Sequence, residues 1–94
     1  MKYIISESKL ESLGIKFLDE YLKNYPVREN DRGLVLWGQG ENNKLAYEKE
    51  DRILFVAEDL FQLLRDMFSI TNTPAKKIFV NFMKTKGYEV KRFI

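Results

Sequence analysis

The sequence predicts an α+β fold in one domain spanning residues 1–94, with an N-terminal helix, a three-stranded antiparallel meander, two C-terminal helices and a terminal strand. Three segments repeat apolar residues at three- and four-residue spacing, which is typical of amphipathic helices. Short runs of aliphatic and aromatic residues, separated by turn-forming residues, lie between the first and second of these segments. A length of 94 residues suits a single hydrophobic core.

The N-terminal helix is predicted to follow a short strand at residues 2–5 and to end before Pro26, because proline disfavours helical backbone in the residue ahead of it. Gly14 lies on the apolar face of this helix, so we expect the helix to approach the sheet closely there. That face consists of Leu10, Leu13, Gly14, Phe17, Leu18, Tyr21 and Leu22.

The meander is predicted between residues 34 and 57, after a polar loop at residues 27–33. A turn rich in glycine and asparagine separates strands at residues 34–37 and 44–48, as in a hairpin. In the returning strand, Leu45 and Tyr47 alternate with more polar positions, which predicts a half-exposed strand. The alternating positions are Lys44, Ala46 and Glu48.

The third strand and the helix after it are the most apolar part of the chain. Residues 53–56 are consecutively apolar, which predicts an inner strand with both faces covered. A helix at residues 58–69 follows and begins with two carboxylates that suit the positive end of its dipole. We therefore expect this strand and helix to form the floor of the core.

The C-terminal part is predicted to form a helix at residues 74–86, with Thr73 as its cap and Pro74 at its first position. Gly87 suits the left-handed conformation that commonly follows a helix end. Residues 88–94 return to strand character, and we expect this strand to join the sheet beside residues 2–5.

Composition excludes several kinds of chemistry. The chain contains no cysteine and no histidine, so disulfides, thiolate nucleophiles and imidazole acid–base catalysis are ruled out. No apolar run approaches the roughly 18 residues of a membrane span. We therefore expect a cytoplasmic protein that needs no cofactor, holds no metal and is not an enzyme.

Charge is distributed unevenly along the sequence. Residues 1–70 carry ten Lys or Arg and thirteen Asp or Glu, whereas residues 71–94 carry six and one, so the two parts have net charges of −3 and +5. We interpret the basic part as a candidate site for nucleic acid or another acidic partner, where Tyr88 or Phe93 can stack on an unpaired base. The alternative is a solvated helix face, since cations near a helix C-terminus are favourable by themselves. The candidate anion-binding residues are Lys76, Lys77, Lys84, Lys86, Lys91 and Arg92.

Trp37 is the candidate interface residue. The aromatic residues exceed what a three-stranded sheet can cover, so an apolar patch could pair copies of the chain into a homo-oligomer. The alternative places Trp37 in the core.

An enzyme is the third hypothesis. Glu89-Val90-Lys91 resembles the E-x-K element of metal-dependent nucleases, but such sites need a further aspartate on a neighbouring strand. A second carboxylate cluster lies at Glu48, Glu50 and Asp51, where a solvated turn is the ordinary explanation.

Three stretches carry a resemblance to known proteins: the opening KYIISESKL, the middle VAEDLFQLLRDMFSI and the tail GYEVKRFI. They are similar to short uncharacterised proteins of tailed bacteriophages that infect marine bacteria. The resemblance leaves out residues 38–43 and carries over no functional residue. It implies a phage-type setting in the host-cell cytoplasm, and together with the composition it favours a non-enzymatic binding or assembly module.

Overall fold

The computed structural model describes residues 7–39 and 42–93. Its helices are α1 (Glu7–Leu22), α2 (Glu58–Phe68) and α3 (Asn72–Thr85). Its strands are β1 (Val27–Glu29), β2 (Leu34–Gln39), β3 (Asn42–Glu48), β4 (Ile53–Val56) and β5 (Arg92–Phe93). No helix within these residues is long and apolar enough to cross a membrane.

The strands form one sheet in the order β1-β2-β3-β4-β5. The first four strands are antiparallel to their neighbours, and β5 lies parallel to β4. A parallel neighbour requires the chain to cross back over the sheet, and α2 and α3 together provide that crossover. The α+β class and the meander of β2, β3 and β4 are confirmed, and the meander lies inside a larger mixed sheet.

Two predictions about the strands need correction. Residues 27–33 were expected to be a loop, yet Val27–Glu29 pairs with β2. All three residues of β1 are exposed, so backbone pairing creates this strand without a hydrophobic pattern to reveal it. The terminal strand is shorter than predicted, since only Arg92–Phe93 pairs, and its neighbour is β4. Residues 2–5, its expected neighbour, lie outside the described residues.

All three helices pack on one face of the sheet. The helix α3 packs against both α1 and α2, so it lies at the centre of the helical layer. Its buried residues join one cluster with buried residues of α1, α2 and the sheet. From α3 these are Ala75, Ile78, Phe79, Phe82 and Met83, and from the sheet Val35, Trp37, Leu45, Tyr47 and Leu54. Because this layer removes the most apolar surface from water, it is the main source of stability.

The opposite face of the sheet has no helix on it in the described part of the chain. Strand register places Leu36, Ala46 and Phe55 side by side, and one row further Leu34, Glu48 and Ile53. We call the apolar members of these rows, Leu34, Leu36, Ala46, Ile53 and Phe55, the open face. None of them belongs to the core cluster; Ile53 is buried at 8% exposure, and the other four are half-buried. Strand β4 is an inner strand as predicted, but described helices cover only one of its faces.

The last turns of α2 and α3 end in the same way. Gly87 has φ of 90°, as predicted, and Ser69 has φ of 52°. After α3, the N–H of Tyr88 donates to the carbonyl of Met83 at 2.9 Å and that of Gly87 donates to Lys84 at 3.0 Å, as in a Schellman motif. This turn directs Tyr88 back onto the sheet, where its ring lies 5.0 Å from that of Tyr47.

Gly14 lies where α1 closely approaches Ile78 of α3. A Cβ at Gly14 would lie 2.7 Å from Cγ2 and 2.8 Å from Cδ1 of Ile78, which is fully buried. The predicted close approach is therefore made to a helix rather than to the sheet. The sequence shows that Gly14 faces inward, but not which element it meets.

We expect Gly14→Ala to lower the free energy of unfolding by about 1–2 kcal/mol, because overpacking costs about 1–3 kcal/mol and alanine regains up to about 1 kcal/mol of helix propensity. Urea denaturation measures this loss. Lys16→Ala, on the exposed side of the same helix, is the matched control and should not be destabilising. Adding Ile78→Val should relieve part of the clash, whereas a Gly14→Ala variant as stable as the parent would contradict the packing.

Candidate functional site

The six candidate anion-binding residues do not share one surface. Four of them belong to α3 or its end, on the covered side of the sheet. Arg92 pairs beside Ile53, so its side chain lies on the opposite side. Lys86 is 2.6 Å from Asp19, and the ammonium of Lys76 lies 5.6 Å from the ring centroid of Phe93. Lys77, Lys84 and Lys91 are exposed.

Trp37 lies in the core, as the alternative to the interface hypothesis expected. Its side chain is 5% exposed and meets the ring of Tyr88 edge to face at 6.0 Å. What remains accessible of Trp37 lines a cleft of about 650 Å³ at the C-terminal end of α1. Lys86 and Tyr88 line the same cleft, so the fold brings together three residues that the sequence suggested separately.

An ion pair between a buried lysine and an exposed aspartate, which sequence reasoning missed, joins β3 to α2. The Lys44 ammonium donates to Asp59 Oδ2 at 2.5 Å, and the Lys44 side chain is 11% exposed. The alternating pattern of β3 had placed Lys44 on its half-exposed side. The pairing of β2 with β3 shifts register between Trp37 and Gly38, which leaves Lys44 without a cross-strand partner. Such a bulge re-aims a side chain, and Lys44 points to α2.

The hydrogen bond between Lys44 and Asp59 favours the charged form of both groups. The hydrogen bond to Asp59 raises the pKa of Lys44, and the same hydrogen bond lowers the pKa of Asp59. Tyr21 lies close by, and its hydrogen bond with Tyr25 raises its pKa. Because each shift moves a group further from pH 7, this cluster suits a fixed ion pair better than proton transfer.

We expect Asp59→Asn to lower the free energy of unfolding by about 1 kcal/mol near pH 7, because Lys44 is buried while Asp59 is largely exposed. A lowered folded-state pKa contributes stability above the unfolded value of 3.8, and this contribution is lost as the pH falls through the folded-state value. The difference between variant and parent should therefore disappear in acid, as measured by urea denaturation at several pH values. Asp66→Asn, exposed at the other end of α2, should show no such loss, and a pH-independent difference would contradict the ion-pair account.

The residues that resemble a nuclease element lie in a different setting. Glu89 is exposed and forms an ion pair of 2.8 Å with Arg52. The Tyr47 hydroxyl donates to the carbonyl of Glu89, and burial raises the pKa of Tyr47. Among the residues that the structure describes, no three carboxylates converge in a way that could hold a metal ion. The geometry of Glu89 is that of a residue that fixes the segment between α3 and β5.

Comparison with known proteins gives no further guide, since no family model, no curated protein and no solved structure matches the chain.

Proposed function

We propose that this chain is a small non-enzymatic assembly module that associates with a second copy of itself through the open face. The observation that supports it is the set of five apolar side chains on the sheet face that no described helix covers. A setting in the cytoplasm of a phage-infected cell, which the resemblance implies, is part of the same proposal.

The charges around the open face fit a second copy. Register places Arg28 beside Leu36 on one side of the face and Arg92 beside Ile53 on the other, while Glu48 lies between them on β3. A face that carries both signs can pair an arginine of one copy with Glu48 of the other. A nucleic acid, which is uniformly negative, would meet Glu48 unfavourably. Two-fold pairing of identical patches is also the commonest form of self-association.

The size of the face sets the expected strength of association. Strands about 4.8 Å apart and about 20 Å long give the sheet a face of roughly 400 Å². A stable interface of standard size buries about 800 Å² per partner. We therefore expect a weak dimer in equilibrium with monomer, whose population depends on protein concentration.

Sedimentation velocity over a range of concentrations tests the proposal. The parent should shift from monomer to dimer as concentration rises, with a weaker dependence on salt than nucleic-acid binding would show, because the contact is mainly apolar and only the pairs at its edge are screened. Leu36→Lys places a charge in the middle of the face and should remain monomeric. Met67→Lys makes the same change at an exposed apolar residue of α2 and should dimerise like the parent. A monomer at every concentration, or a dimer that tolerates Leu36→Lys, would refute the proposal.

Nucleic-acid binding through the C-terminal region is the second candidate function, favoured by the net charge of +5 on residues 71–94. The structure divides these cations between two sides of the sheet, so their phosphate contacts would be scattered. Retention on heparin or single-stranded DNA that falls steeply with salt would support this function. Retention should then be reduced by Lys76→Ala and Lys77→Ala together, and should not be reduced by Leu36→Lys, which adds a positive charge.

A further inference from the structure

The cleft at the C-terminal end of α1 is distinct from the open face. It lies between edge strand β1 and the segment that joins α3 to β5, and its volume of about 650 Å³ is in the range of ligand-binding pockets. Four aromatic side chains line it, those of Tyr25, Trp37, Phe82 and Tyr88. The cleft therefore has an aromatic floor.

The edge of β1 offers unpaired backbone groups beside this cleft. The Pro26 carbonyl accepts from the N–H of Gly38 at 3.0 Å, and the N–H of Asn30 donates to the carbonyl of Leu34 at 3.0 Å. Inward and outward backbone groups alternate along an antiparallel strand, so the N–H and C=O of Val27 and Glu29 point away from β2. No described strand lies on that side of β1. Two donors and two acceptors are thus aligned for an added strand.

Val27 connects the strand edge to the cleft. Its side chain is 57% exposed, lines the cleft and lies on the same face as Trp37, its partner in register. A strand added to β1 would place alternate side chains on that face, because side chains alternate along a strand. One of these side chains would lie directly against the aromatic floor.

The carboxylate of Glu20 is the acidic group that the α1 end of the cleft offers to a basic side chain, since the other one, Asp19, is already paired with Lys86. The last turn of α1 contains Asp19 and Glu20 but no basic residue, and the helix dipole adds negative potential there. The ammonium of Lys86 lies 2.6 Å from Asp19 and 5.5 Å from the ring centroid of Phe82. This corner therefore already accommodates one ammonium between a carboxylate and a ring. Lys23, on the rim, is the group of opposite sign that a basic side chain would have to avoid.

We propose that β1 and the adjoining cleft bind an extended peptide segment of another protein. The peptide pairs with β1 as a sixth strand, inserts one aromatic or large aliphatic side chain against Trp37 and Tyr88, and directs a basic side chain toward Glu20. Main-chain hydrogen bonds supply affinity and the cleft supplies specificity, as in other cases of strand addition.

A second copy of this chain is a poor occupant of the same edge. When β1 pairs antiparallel with β1 of a second copy, each residue lies opposite a residue whose side chain is on the same face of the extended sheet. The register with full overlap puts Arg28 opposite Arg28, and like charges directly opposite destabilise a strand pair. A peptide of different sequence avoids this repulsion.

Selection from a displayed library of random heptapeptides tests the proposal on the intact chain. Glu29→Pro removes one outward N–H while leaving the inward hydrogen bonds of β1, as proline at a sheet edge allows. Glu29→Gln is its matched control, since both variants lose the ion pair of 2.5 Å with Lys49 but only the proline loses the donor. Enriched peptides should carry an aromatic or large aliphatic residue together with a basic residue.

Titration of a synthetic enriched peptide gives the second measurement. Trp37 is the only tryptophan in the sequence, so its emission should change when the peptide fills the cleft. We expect Glu29→Pro, or methylation of the peptide nitrogen that pairs with β1, to weaken binding about tenfold, while Glu29→Gln binds like the parent. Glu20→Lys should weaken binding, and Glu50→Lys, in a distant turn, should not.

Three results would overturn the proposal: no enrichment above background, enriched peptides that leave Trp37 emission unchanged, or equal affinity for the methylated and unmethylated peptide. The last comparison does not depend on whether Glu29→Pro folds.

Discussion

Truncation of Phe79 to alanine is expected to lower the free energy of unfolding by about 3–5 kcal/mol. Phe79 is fully buried in α3, at the centre of the helical layer. Its ring stacks on Phe61 at 5.9 Å and lies 6.1 Å from Phe93, so it joins α3 to α2 and to β5. Removing it leaves a cavity among three elements that cannot all move inward. Urea denaturation followed by Trp37 emission measures the loss.

The matched control for Phe79 is an apolar residue of the helical layer that faces water. Met67 is 56% exposed on α2, so Met67→Ala should change stability by less than about 0.5 kcal/mol. If Phe79→Ala does not fold, Phe79→Leu keeps most of the volume and should still be destabilising. Equal effects of Phe79→Leu and Met67→Ala would show that the core is not organised around α3.

The second large expected effect is the difference in stability between alanine substitutions at Leu54 and Phe55. These residues are adjacent in β4 and face opposite sides of the sheet. Leu54 is fully buried under the helices, and Leu54→Ala should cost about 2–5 kcal/mol. Phe55 is the larger side chain, but it lies half-buried on the open face, so Phe55→Ala should cost only about 1 kcal/mol in the monomer. Urea denaturation at low protein concentration separates the two.

The same pair of substitutions also distinguishes folding from assembly. Phe55→Ala should weaken the proposed dimer in sedimentation velocity, whereas folded Leu54→Ala should retain it. If Phe55→Ala is as destabilising as Leu54→Ala in the monomer, then both faces of β4 are covered after all and the open face is not available to a partner.

The sequence could predict those elements whose side chains repeat with a clear period. The three helices and the β2–β4 meander were found this way, and Gly87 was placed correctly because a left-handed residue after a helix favours glycine. Strand β1 could not be found, since its three exposed residues carry no apolar pattern and only backbone pairing defines it. The predicted start of α3, at residue 74, is two residues later than the observed start at Asn72, because Pro74 lies inside the first turn rather than at its start.

The candidate sites depended on contacts between distant residues, and no local pattern encodes those. The alternating pattern of β3 predicts a half-exposed Lys44. In the structure a bulge directs its side chain toward Asp59, fifteen residues further along the chain. The basic C-terminal residues formed one group in the sequence, yet Arg92 lies on the opposite side of the sheet from the four on α3 and its end.

By itself, the sequence determined the three helices and the central strands β2, β3 and β4, because periodicity and turn residues act over a few positions. The tertiary structure alone decided that three helices share one side of the sheet, that five apolar residues are left on the other, and that the end of α1 meets β1 and Tyr88 in a cleft. These features depend on strand order and register, which are set by packing and backbone hydrogen bonds between residues far apart in the chain.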